Sequence, residues 1–197
     1  MENIMNYINQ LNYKEMPYLT NLECPDSVLA RKGTVSRAGC GLCCACMLVE
    51  GLTLEQLSLE DCRELSVRSG ANQKAGTSME ILAPALAERF GLSYRPANST
   101  QELLDCLQNG GQAIINVGGD RDGHTGVFSH HGHFILAVST DRSEVCILDP
   151  SYKEHKYEEP GREGKVRVEG LFAYTAPAVL EQDTASRNPA YYLFSRH

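Results

Sequence analysis

TVSRAGCGLCCACMLVE, residues 34–50, sets a cysteine between two glycines (Gly39, Cys40, Gly41) directly ahead of an apolar run that reads as a buried helix. A thiol at a helix N-terminus faces backbone N–H groups without intrahelical acceptors and lies at the positive end of the helix dipole. Both favour the thiolate, and the thiolate is the nucleophile. Cys40 is therefore the first candidate for covalent chemistry. Cys43, Cys44 and Cys46 fall further along the same helix, where small polarisable packing accounts for them better.

Upstream, residues 3–11 carry a short amphipathic helical pattern, and residues 19–32 read as loop, with Pro25 and no clear period. Downstream, the Cys40 helix is expected to run to about Glu50 and stop at Gly51, and a second helix over 54–69 ends at Gly70. Thr77-Ser78-Met79-Glu80 reads as a capping box ahead of apolar Ile81, Leu82, Leu86 and Phe90, with Gly91 as the stop. Ser99-Thr100-Gln101-Glu102 repeats the signal for residues 103–108.

From Gln112 the apolar period changes to two. Strands are predicted over 113–117, 133–139, 144–148, 165–168 and 191–194, with a hairpin turn at 140–143. Residues 118–132, rich in Gly, Asp and His, read as a long exposed loop able to act as a lid. Helices first and an antiparallel sheet afterwards is an α+β layout, in a length that fits one domain over 1–197.

Antiparallel neighbours bring the start of one strand beside the end of the next. His133 opens one predicted strand and Asp149 ends the following one, so the two are expected side by side at one edge of the sheet. A thiol nucleophile needs such a pair: an imidazole to take and return the proton, and a polar group to fix its tautomer. Asp149 also precedes Pro150, and Asp-Pro commonly initiates a turn.

These segments carry a family resemblance. GTVSRAGCGLCCACMLVEGL (33–52) resembles the nucleophile motif of papain-like cysteine peptidases related to the bacteriocin-leader-processing (double-glycine) peptidases, in which a Cys-Gly pair opens the central helix. HGHFILAVSTDRSEVCILDPS (131–151) resembles their general-base motif, and MPYLTN (16–21) their opening "VPYxxQ" segment. The pieces follow the family's order and span most of the chain.

The resemblance implies a papain-like α+β fold, with the nucleophile helix packed on a C-terminal antiparallel sheet. It implies hydrolysis of peptide or isopeptide bonds through an acyl-enzyme, with Cys40 as nucleophile, His133 as general base and Asp149 as orienting acid. The oxyanion hole would combine the Cys40 backbone N–H with an upstream amide. The family's glutamine position holds Asn21, and Thr34 stands six residues before the cysteine; Asn21 is the expected donor, with Thr34 the alternative. The proline usual after "GCG" is Leu42 here. Gly39, Gly41, His131 and Gly132, which flank the nucleophile and base, are expected to contact substrate. No cofactor and no metal is required.

Composition narrows the partners. A formal charge of −7 and no Lys/Arg cluster argue against nucleic acid or an anionic membrane as the main partner, while a peptide or protein substrate is what the resemblance implies. The sequence is silent on oligomeric state. The N-terminus lacks a basic leader ahead of an apolar core, and the apolar run at 42–49 is too short to cross a bilayer, so a cytoplasmic protein is expected.

Four of the eight cysteines crowd one helix and cannot all pair in relaxed disulfides, while Cys62, Cys106 and Cys146 fall in apolar patterns as core fillers. Cys40-x-x-Cys43 with His124, His130, His131 and His133 resembles a ligand set, but structural zinc sites draw their cysteines from flexible knuckles. A cysteine peptidase is the leading reading. An acyl transferase on the same scaffold, of the phytochelatin-synthase-like kind, a non-catalytic peptide-binding module and a metal-binding module are the alternatives.

Overall fold

The computed structural model describes residues 6–73 and 76–197. A 3₁₀ turn (Gln10–Asn12) leads into helices α1 (Val28–Lys32), α2 (Val35–Ala38), α3 (Cys40–Leu52) and α4 (Leu59–Ser69). Short strands β1 (Asn72–Gln73) and β2 (Gly76–Thr77) pair with each other, followed by α5 (Met79–Phe90), β3 (Leu92–Ala97) and α6 (Thr100–Gln108). Strands β4 (Gln112–Val117), β5 (His133–Thr140) and β6 (Val145–Leu148), a 3₁₀ turn (Lys156–Glu158), β7 (Val166–Glu169), β8 (Phe172–Thr175), α7 (Pro177–Thr184) and β9 (Tyr191–Arg196) complete the chain. Among the described residues seven strands form one antiparallel sheet in the order β3-β9-β4-β5-β6-β8-β7.

Successive strand residues point to opposite faces, and both faces of this sheet are buried. Ile114, Leu136, Leu148, Tyr192 and Phe194 pack against α3, α4 and α5 on one side. Ala113, Ile115, Val117, Ile135, Ala137 and Leu193 pack against α6, α7 and the Val127-Phe128 segment on the other. Helix α3 is buried around nearly its whole circumference, and its N-terminus is fixed where β5 begins. A Cβ on Gly41 would lie 2.9 Å from Thr77 Cβ and 3.3 Å from Phe134 Cδ2, so the helix approaches its neighbours as closely as a missing side chain allows.

The α+β architecture is as the sequence predicts, with differences in detail. Helix α3 continues through Gly51 because Leu52 is buried, and that burial outweighs the roughly 1 kcal/mol propensity cost of glycine. Helix α4 starts at Leu59 rather than residue 54: Ser58 Oγ accepts from Asp61 N at 3.1 Å, and the preceding residues are extended around exposed Leu54. The expected capping boxes do not form; the Thr77 hydroxyl lies 2.9 Å from buried Tyr18 instead, and Ser78 and Ser99 cap by position only.

Residues 19–32 are not all loop, since Ser27 caps α1. Of the helix expected at 3–11, residues 3–5 lie outside the described residues, residues 6–9 are not helical, and the 3₁₀ turn starts only at Gln10. Strands β3 and β8 and helix α7 were not predicted; β3 contains Pro96, which only an edge strand accommodates, and β3 is at the edge.

The loop at 118–132 is pinned down rather than free to swing as a lid. Buried Asp183 on α7 accepts from the amides of Val127 (2.9 Å) and Phe128 (3.1 Å) and meets His124 Nε2 at 2.7 Å. Among the described residues no helix is long and apolar enough to cross a membrane.

Candidate active site

Cys40 is the first residue of α3 and faces a cleft of about 550 Å³, which is also lined by His133 and Phe134 of β5, Asn116 of β4 and Thr77, Ser78 and Met79. His133 opens β5 opposite Val117, and the β5–β6 hairpin returns the chain to Asp149 beside it. His133 Nε2 donates to Asp149 Oδ1 at 2.8 Å. The same imidazole lies on the cleft wall with Cys40, close enough for each group to shift the other's protonation. With Nε2 turned to Asp149, the nitrogen left for the sulfur is Nδ1. The three residues, distant in sequence, converge at one corner of the cleft.

Burial by itself pushes the Cys40 thiol up, but the hydrogen bond and charge of His133 outweigh it, aided by backbone hydrogen bonds from Phe134 and Gly41. The net shift is downward, toward thiolate. Burial pulls His133 down, and the hydrogen bonds of Asp149 and Cys40 reverse that, leaving it raised above an ordinary histidine. The two groups move toward each other, as a thiolate–imidazolium pair requires. Cys43, Cys44 and Cys62 move the opposite way: burial holds Cys43 and Cys44 well above an ordinary thiol, and a hydrogen bond with Cys46 plus burial does so for Cys62.

Asp149 sits in a buried polar cluster that the sequence reading did not identify. Its Oδ2 accepts from Lys156 Nζ and, at 2.6 Å, from the Tyr157 hydroxyl, while Oδ1 accepts from the Ser151 amide at 2.9 Å. The Ser151 hydroxyl bridges His133 Nε2 (3.0 Å) and Lys156 Nζ (2.7 Å). Burial would raise the carboxyl, and the Lys156 charge with the His133 hydrogen bond holds it far below the usual carboxylate range. The only hint in the sequence is a lysine and a tyrosine shortly after Asp-Pro, a spacing that fits any loop.

Other expected site residues fall elsewhere. Asn21 does not line the cleft: it occupies a left-handed turn (φ 57°) in a surface excursion, with its carbonyl accepting from Cys24 N at 2.9 Å. Thr34 is bridged to Pro17 at the start of α2 and is also away from the cleft. The amide that spans the relevant elements is Gln10. Its backbone N–H donates to Pro150 O at 2.7 Å, and its buried side chain donates to Ser36 O at 3.0 Å while Oε1 has no partner.

Gly39 and Gly41 are buried and do not line the cleft, whereas His131 and Gly132 do. His124 is committed to Asp183, and His130 lies between Asp120 and Glu159, so these two histidines of the alternative ligand set are engaged elsewhere. Among the described residues no three His, Cys, Asp or Glu side chains are grouped to hold a metal. All eight thiols are free.

No protein-family model matches the chain, and no curated protein matches it. Solved structures do. One described as a C39-like peptidase from Bacillus anthracis aligns at TM-score 0.57 and 12% identity, covering 100% of this chain and 97% of that one. The peptidase domain of Streptococcus ComA, a bi-functional ABC transporter involved in a quorum sensing pathway, aligns at TM-score 0.49 and 15% identity over 80% of this chain and 91% of its own. The first likeness gives the class: the chain has the papain-like fold of a C39-like peptidase structure. At such low identity the likeness speaks of the fold alone.

Proposed function

We propose that the chain is a cysteine peptidase that hydrolyses peptide or isopeptide bonds through Cys40, His133 and Asp149. The observation that carries the reading is a buried imidazole bonded through Nε2 to a buried carboxylate, in the same cleft as a cysteine at the start of a buried helix. The Cys40 thiolate attacks the carbonyl carbon, and the carbonyl electrons move to oxygen. The proton on His133 Nδ1 passes to the leaving amine as the C–N bond breaks, leaving a thioester on Cys40. Water then attacks the thioester, His133 takes its proton, and the thiolate departs. Asp149 accepts from Nε2 throughout and keeps Nδ1 directed at the sulfur.

For the oxyanion, we assign the Cys40 backbone N–H and, in place of Asn21, the Gln10 amide, which does not line the cleft itself but is held between Ser36, four residues before Cys40, and Pro150, beside Asp149. Gln10 links the turn before α3 to the chain after β6 and keeps a second amide proton free of Ser36. Alkylation tests the assignment. Iodoacetamide at pH 7 is expected to modify Cys40 well ahead of the other cysteines, exposed Cys24 included. His133→Ala should slow that reaction about tenfold or more, because burial then raises the thiol unopposed. Equal labelling of Cys40 and Cys24 in the unmodified protein would remove the basis of the proposal.

A further inference from the structure

The cleft carries a charge pattern that the hydrolytic machinery does not use. The chain as a whole is acidic, with 25 Asp and Glu against 18 Lys and Arg. Yet the charged residues lining the cleft beside Cys40 and His133 are Arg37, Arg187 and the single acid Glu80. Arg187 follows α7, and its guanidinium lies across Gly132, the residue before His133: a Cβ there would collide with Arg187 Nη2 and stand 3.4 Å from its Cζ. Glycine at 132 is therefore what lets the guanidinium reach this wall.

Arg187 has no carboxylate partner among the described residues, and its Nε is buried without any hydrogen-bond acceptor. Arg63 and Arg162 also keep one buried nitrogen without an acceptor, but each of them is paired with a carboxylate. Seven ion pairs among the described residues use Arg side chains, at residues 31, 63, 95, 142, 162 and 167. A buried N–H without an acceptor is costly, and a guanidinium fork matches a carboxylate in bidentate geometry. Neighbouring Tyr192, also on the cleft wall, feels the charge of Arg187.

We infer that Arg187 forms a carboxylate subsite, so that the cleft selects acyl donors carrying a negative charge near the reacting carbonyl, either an acidic side chain or a free chain terminus. The inference rests on the peptidase reading, since it names a substrate class for that site. Arg37, exposed on the same cleft, adds long-range attraction without fixing the position of the ligand.

Bromoacetyl peptides with glycine spacers of graded length provide the test, with Cys40 modification followed by intact mass. Each probe is made as a neutral amide, with an Asp side chain and amidated end, and with a neutral side chain and free carboxylate. At least one acidic form should label Cys40 about fivefold faster than its neutral twin, the worth of a part-exposed ion pair. Which acidic form wins identifies the source of the carboxylate. The rate ratio within each protein serves as its own standard, and R187Q should bring it close to one.

G132A, whose new methyl group displaces the guanidinium, should do the same if R187Q does not fold. Equal rates for acidic and neutral twins, or an acid preference that survives in both variants, would overturn the subsite while leaving a reactive Cys40 intact. A Cys40 no more reactive than Cys24 toward the neutral probes would overturn the peptidase reading and the subsite together.

Discussion

Each oxygen of the Asp149 carboxylate has its own partners: Oδ1 takes His133 and Ser151, and Oδ2 takes Lys156 and Tyr157. Lys156 and Asp149 are both buried, so neither charge has water as an alternative. Removing one member of such a pair strands the other. Lys156→Met is expected to lower unfolding free energy by about 3 kcal/mol or more, read by urea denaturation. The pH dependence follows from the sign of the shift. The carboxyl is depressed in the folded state, so Asp149 contributes stability that is fully present above its unfolded value of about 3.9 and is lost as pH falls below it. In Lys156→Met that contribution shrinks, and the acid-unfolding midpoint should move to higher pH.

At the same scale, the lowered Cys40 and raised His133 predict a bell-shaped dependence of kcat/KM on pH. Activity should rise as Cys40 ionises and fall as His133 loses its proton, with the alkaline limb above the ordinary histidine value of about 6.5. An alkaline limb at or below that value would contradict the raised imidazole.

Helix α3 and the hairpin of β5 and β6 are the elements that make the site. The start of α3 was legible because Gly-Cys-Gly ahead of an apolar run has few other solutions, and the hairpin because the period-two pattern and the Asp-Arg-Ser turn agree. Gly41 separates local propensity from packing. Alanine there should gain about 1 kcal/mol of helix propensity, but its Cβ would press on Thr77, Met79 and Phe134, and overpacking costs about 1–3 kcal/mol. The second effect wins, because Thr77 is held by Tyr18 and cannot easily yield. Gly41→Ala should therefore lower the thermal midpoint despite being a better helix former.

Elements without such patterns were missed. Pro96 argues against a strand until the strand is known to lie at an edge. The capping box at 77–80 does not form because Thr77 finds a tertiary partner that competes with its own helix.

Across the whole molecule, α7 ties the loop at 118–132 to the sheet through Asp183, which is buried and accepts two backbone amides as well as facing His124. This loop ends at His131 and Gly132 on the cleft wall, so its anchoring also positions the residues before His133. Asp183→Ala leaves the Val127 and Phe128 amides buried without acceptors, a loss of about 1–3 kcal/mol per group. Hydrogen exchange should show both amides losing protection while the β4–β5 ladder keeps its own. Unchanged protection at Val127 and Phe128 would mean that other contacts hold the loop.

The order of elements, the cysteine at the head of a buried helix and the pairing of His133 with Asp149 followed from the chain itself, because each depends on local pattern or on residues joined by one tight turn. The third dimension alone decided the rest. Asn21 fell outside the cleft, Lys156 and Tyr157 closed around Asp149, and Arg187 came to lie over Gly132. Those outcomes depend on where separate segments meet after packing, and neither spacing nor propensity encodes a meeting between residues that far apart in the chain.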